Sequence, residues 1–185
     1  VISSLIALNV TAATPAKTTP TDPLYTSLLP GYTAKWHNSM PDMNINVVRD
    51  TRGDVLTNTT GGYPAVSNDC GMYASLDDSI YYEVKVGGNM SLLIILSDGS
   101  YYTLQQHFDG ATFNGEDLVG NGATFRGTIK LSDVIPASAA NNGEIIISTV
   151  RVFNVGAAGD EIVLKRLDLV ENVPSVVLLY GDVNG

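Results

Sequence analysis

Hydrophobic residues recur with a period of two along much of the chain, the spacing that places alternate side chains on one face of a strand. The pattern settles at Tyr32, where YTAKWHN and then NINVVRD alternate in β-prone residues. IYYEVKV is cleaner: Ile80, Tyr82, Val84 and Val86 share one face, while Tyr81, Glu83 and Lys85 share the other. SLLIIL, the turn Ser97-Asp98-Gly99-Ser100 and YYTLQQ predict a hairpin, because Asp-Gly accepts the positive φ of a type I′ turn. Leu92 to Leu96 shows no polar alternation, which predicts a strand covered on both faces. After a Gly- and Asn-rich loop from Asp109 to Gly127, TFRGTIKLSDVI reads as a strand stopped by Pro136. EIIISTVRVFNV predicts a long strand with a bulge near Ser148. IVLKRLDLV closes the series, with Ile162, Leu164, Arg166 and Asp168 on one face. No convincing helical period runs through any stretch of a dozen residues. Short strands separated by turn signals predict an all-β fold, an antiparallel β-sandwich of jelly-roll type.

That sandwich is expected over residues 31–172, flanked by tethers. Residues 1–30 read as an N-terminal linker or edge segment, since Pro15, Pro20 and Pro23 favour an extended spacer. Their opening VISSLIALNVTAA fits three descriptions: the remnant of a secretion signal, the last strand of a preceding module, or an edge strand of this one. Residues 173–185 read as a second linker and the start of a further module.

Composition narrows the chemistry. Of 185 residues, 44% are hydrophobic and 16% charged, which excludes disorder throughout. Nineteen acidic residues against ten basic ones give a net charge of -9, which argues against nucleic acid as a partner. No apolar run approaches the roughly twenty residues of a membrane span. A single cysteine, Cys70, excludes an internal disulfide and a thiolate zinc cluster, and only His37 and His107 are present for imidazole chemistry. Phosphate-loop, zinc-helix and nucleophile-elbow motifs are missing.

Adhesion to sugars needs exposed rings for C–H faces and a few fixed polar groups for hydroxyls. Trp36, Tyr81 and Tyr101 are the candidate platforms, with Gln105 and His107 as hydrogen-bonding partners; Tyr63 and Tyr73 could form a loop rim. Burial competes at every one of these positions, most strongly at Trp36, because a lone Trp in a small sandwich usually packs inside. Glu83 is the one glutamate placed mid-strand, where a glycosidase would need its acid.

Two resemblances add to this. Gly181-Asp182-Val183-Asn184-Gly185 resembles the opening of a dockerin, the cellulosomal docking module, with Asp182 and Asn184 spaced as the first two oxygen ligands of a calcium loop. The sequence stops before the loop is complete, so cohesin is a partner only through the missing remainder. The central region, with IYYEVKV, SLLIILSDGSYYTL, GTIKLSDVI, STVRVFNV and IVLKRLDLV in order, resembles the jelly-roll carbohydrate-binding modules of such enzymes. That resemblance implies a structural Ca2+ held by an acidic residue of the last strand, here Asp168. Together they imply a secreted, extracellular, cellulosome-associated protein whose monomeric, non-catalytic module binds plant cell-wall polysaccharide. A structural spacer or protein-interaction sandwich without a sugar site is the alternative, and a glycoside hydrolase the third reading.

Overall fold

The computed structural model describes residues 24–31 and 35–172. The strands follow in chain order as β1 (Leu24–Ser27), β2 (His37–Asn38), β3 (Ile45–Asp50), β4 (Gly53–Asn58), β5 (Ala65–Ser75), β6 (Ser79–Val86), β7 (Asn89–Leu96), β8 (Tyr101–Thr103), β9 (Phe113–Asn114), β10 (Asp117–Val119), β11 (Ala123–Lys130), β12 (Glu144–Val155) and β13 (Glu161–Glu171). They form two antiparallel sheets, as the alternating pattern predicts. The first runs β11-β6-β13-β4-β3, with β1 also on β13; the second runs β2-β5-β12-β7-β10-β9, with β8 also on β7. Among the described residues no helix is long and apolar enough to cross a membrane.

The inward faces meet in one apolar core. Ile80, Tyr82, Val84, Leu164 and Leu167 of the first sheet and Leu92, Ile94, Val150 and Val152 of the second are at most 1% exposed. Tyr82 fills more of this core than an aliphatic residue would, stacking on Phe108 at 3.9 Å while its hydroxyl accepts the Asp109 amide at 3.0 Å.

Several expectations shift. β7 alternates instead of being covered on both faces: Leu92, Ile94 and Leu96 are buried, whereas Leu93 and Ile95 are half-buried on the outer face. The β7–β8 hairpin is present, but of its turn residues only Gly99 has positive φ, so Asp98 does not take the conformation a type I′ turn requires. Asp98 instead accepts the Ser100 amide and hydroxyl, which fixes the loop from within. LSDV continues β11 not as strand but as a short helix, α1 (Leu131–Val134), that turns Leu131 into the core. Within the segment expected as an N-terminal linker or edge, Leu24–Ser27 is a strand, and β1 pairs with β13 from Leu24↔Glu171 to Ser27↔Asp168. The bulge near Ser148 is present between Ile147 and Thr149.

A second bulge, in β13 between Leu164 and Arg166, was not legible. It adds Lys165 opposite Glu83 and reverses the parity of everything after it. Leu167 and Leu169 therefore join Ile162 and Leu164 inside, and Arg166 and Asp168 face outward. Gly53 makes room for it: with φ at +131°, a Cβ there would fall on the Leu164 carbonyl and within 2.8 Å of the Lys165 Cα. Gly53→Ala should lower stability by about 1–2 kcal/mol, read as a fall in thermal midpoint; an unchanged midpoint would show that the bulge tolerates a side chain.

Candidate functional site

The outer face of the first sheet carries a connected set of polar and aromatic side chains. Register across β11, β6 and β13 sets three rows: Thr128, Tyr81 and Asp168; Arg126, Glu83 and Arg166 with the bulged Lys165; and Thr124, Lys85 and Val163. Tyr25 enters from β1, whose partner on β13 at that point is Val170.

Tyr25 and Tyr81 meet edge to face, with centroids 6.3 Å apart and planes at 88°. The Arg166 guanidinium lies 4.5 Å from the Tyr81 centroid and 5.1 Å from that of Tyr25, within cation–π range of both rings. Arg166 Nε donates to Asp168 Oδ2 at 2.7 Å, and that charge-assisted bond raises the guanidinium's pKa further. Four side chains thus hold one another in place, and Tyr25 remains 47% exposed.

One row along, Arg126 Nη2 and Lys165 Nζ both donate to Glu83 Oε1, at 2.8 and 2.9 Å. These bonds, Lys165 first and Arg126 second, push the Glu83 carboxyl below the ordinary glutamate range. A glycosidase acid needs the opposite shift, so this carboxylate is an acceptor. Its contribution to stability is fully present above the unfolded-state value of about 4.3 and is lost as pH falls through the lower folded value. Glu83→Gln should therefore lower the thermal midpoint at neutral pH, with the difference from the native chain shrinking as pH falls below 4. A pH-independent difference would show that the ion pairs do not matter.

Clefts bracket the platform. One of about 370 Å³ lies by Ser79, Lys130 and Val170. On the other side a cleft of about 250 Å³ is lined by Thr51, Arg52, Lys85 and Lys165. Beyond it, another of about 340 Å³ reaches Gly87, Gly122 and Glu161.

The residues predicted from sequence do not assemble into one site. Tyr81 belongs to this face, with Tyr82 inward. Tyr101 is 67% exposed, but on the outer face of the opposite sheet beside Ile95. Trp36 is not a platform: it is 7% exposed, and its indole N–H donates to the buried Asp54 at 2.9 Å. Gln105 is fully buried and spent on protein. Its Oε1 accepts the Leu92 amide and its Nε2 donates to Ser91 Oγ and the Glu116 carbonyl. His107 is exposed in the short 3-10 turn that follows β8. Tyr63 and Tyr73 are 56% and 76% exposed; Tyr73 borders a separate cleft of about 320 Å³ with Asp98, Asn141 and Glu144 at the end of the second sheet.

At Asp168, the expected calcium ligand, Oδ2 accepts from Arg166. Among the described residues no group of three or more His, Cys, Asp or Glu side chains could hold an ion. Burial raises the Cys70 thiol's pKa, and Sγ contacts the Ile147 carbonyl at 3.3 Å, the setting of a packed thiol and not a nucleophile. Tyr25, Arg126, Lys165 and Arg166 were missed; the cation-rich KRLD stretch hinted at Lys165 and Arg166, and nothing local marked Tyr25 or Arg126.

No family model and no curated protein matches the chain. Solved structures do. A family 29 carbohydrate-binding module superposes with a TM-score of 0.52 at 14% identity, over 80% of this chain and 89% of that one. A variant of such a module complexed with cellulohexaose gives 0.51 at 13% identity, over 81% and 92%. Another, complexed with mannohexaose, gives 0.50 at 14% identity, over 80% and 92%. At this identity the likeness is one of fold.

Proposed function

We propose that this chain is a non-catalytic carbohydrate-binding module that grips a polysaccharide along the outer face of its first sheet. The observation that carries the reading is the Tyr25–Tyr81–Arg166–Asp168 platform, in which the exposed Tyr25 ring, the half-buried Tyr81 ring and the partly exposed Arg166 guanidinium are held together, Arg166 by the buried Asp168 carboxylate. Preorganised rings lose little freedom on binding, and C–H faces of pyranoses pack on them while charged groups take hydroxyl hydrogen bonds. Sandwich likeness to carbohydrate-binding modules supports the same reading, and the held carboxylate of Glu83 speaks against cleavage. The dockerin-like Gly181–Gly185 segment, which lies outside the described residues, supports placing the module in a secreted, cellulosome-associated protein that acts on plant cell walls. There a weak module gains by tethering its neighbour at high effective concentration. Cohesin would be engaged only by a complete dockerin.

Affinity electrophoresis in gels containing soluble glucan, glucomannan, xylan or polygalacturonate tests this. Retardation by at least one glycan, with no release of reducing sugar, is expected. Unchanged migration in all of them would favour a spacer or protein-interaction role, for which the half-buried Leu93, Ile95 and Phe153 on the opposite face would be the surface to probe.

A further inference from the structure

The chain is strongly acidic, yet the cleft beside the platform is not. Arg52, Lys85 and Lys165 line it, and among the described residues Glu83 is its one carboxylate. That carboxylate is already shared by Lys165 and Arg126 through a single oxygen. Arg52 is turned toward Asp50 and Glu161 at the far rim, with half of its side chain exposed. Lys85 is different. Its cross-strand neighbours are Thr124 and Val163, neither carrying an opposite charge, and among the described residues no carboxylate pairs with it. The β13 bulge sharpens the contrast by placing Lys165 and Arg166 consecutively on the same face, both opposite Glu83. With Arg52 and Lys165 matched by carboxylates, Lys85 leaves the cleft with an excess of one positive charge, which an entering anion would neutralise. Thr51 and Thr124 supply exposed hydroxyls at the same rim.

We propose that the polysaccharide bound by this face is acidic, carrying uronate carboxylates, and that Lys85, with Arg52 and Lys165, forms the subsite that accepts one of them. This rests on the binding reading above. Lys85 lies four positions along β6 from Tyr81, roughly 13 Å at strand rise, so one ligand reaching both must be a chain of several sugars. A pyranose at Tyr81 and Arg166 supplies the stacking contact, and a uronate further along supplies the ionic one. A charge-assisted bond from lysine to carboxylate is stronger than one to a hydroxyl, which gives selectivity against neutral chains.

The test uses the whole chain in affinity electrophoresis against polygalacturonate, glucuronoxylan and alginate. Each is paired with its carboxyl-reduced counterpart, and polyglutamate serves as a non-sugar polyanion. We expect at least one acidic glycan to bind tenfold or more tightly than its reduced form. Lys85→Gln should remove most of that difference, Tyr81→Ala should abolish binding, and affinity should fall as salt rises. Equal affinity for acidic and reduced polymers, unaffected by Lys85→Gln, would overturn the proposal and leave the binding face standing. Equal affinity for polyglutamate would reduce it to unspecific charge attraction and overturn it too. No retention by any glycan, neutral or acidic, would overturn the binding reading itself.

Discussion

Asp54→Ala should destabilise the sandwich by about 2–4 kcal/mol, lowering the thermal midpoint by about 6–12 °C. Asp54 is fully buried and accepts from three donors: the Trp36 indole at 2.9 Å, Arg49 Nε at 2.6 Å and Arg49 Nη2 at 2.8 Å. Arg49 also donates to the Pro30 and Gly31 carbonyls, so one carboxylate ties β3, β4, Trp36 and the segment after β1 together. Removing it leaves a half-buried guanidinium and a buried indole N–H without an acceptor. The cost stays below that of a fully buried pair because the Arg49 side chain is 39% exposed and can recruit water. Trp36→Phe, which removes one hydrogen bond and keeps most of the ring, should cost about 1 kcal/mol. Urea unfolding of both variants separates the two; a midpoint for Asp54→Ala within error of the native chain would refute this account of the core's end. The loss should also reach the platform, since Tyr25 stands on β1 and β1 is continuous with the segment Asp54 holds.

Tyr81→Ala should abolish measurable glycan retention while leaving the fold intact. Truncating a central aromatic anchor costs at least about 2 kcal/mol of binding, roughly thirtyfold in Kd. The residue is doubly used: its ring presents a face and also supports Arg166, so the guanidinium is released at the same time. Tyr101→Ala is the matched control. Tyr101 is the more exposed ring, but it lies on the opposite sheet, among the described residues no charged group stacks on it, and its loss should change affinity less than twofold. The reverse ranking, with Tyr101 essential and Tyr81 dispensable, would move the site to the other face.

These two residues show what local pattern can carry. Alternation in IYYEVKV separates Tyr82 from Tyr81 correctly, because parity along one uninterrupted strand needs no partner. The β7–β8 hairpin and the Ser148 bulge were legible for a similar reason, each being announced within a few residues. The same parity argument fails in β13, where the Lys165 bulge depends on a glycine more than a hundred positions away. It misplaces Asp168 among the inward residues and hides the Arg166 platform. Trp36 and Gln105 are offered as sugar contacts by type, yet each has a polar partner inside the fold, Asp54 for one and Leu92, Ser91 and Glu116 for the other. Exposure is a tertiary property, and residue type alone does not report it. The platform draws on β1, β6 and β13, so it exists only once sheet register is known.

The central claim is that the first sheet's outer face is the glycan-binding surface. Amide correlation spectra of the labelled chain, recorded during addition of cellohexaose, mannohexaose and hexagalacturonate, test it most directly. Saturable shifts should cluster at Tyr81, Glu83, Lys165 and Arg166 and at their β11 neighbours Arg126 and Thr128, leaving Tyr101 and Phe153 still. Shifts centred on Tyr101, Phe153 or Tyr73 would contradict it, as would spectra unmoved by every oligosaccharide.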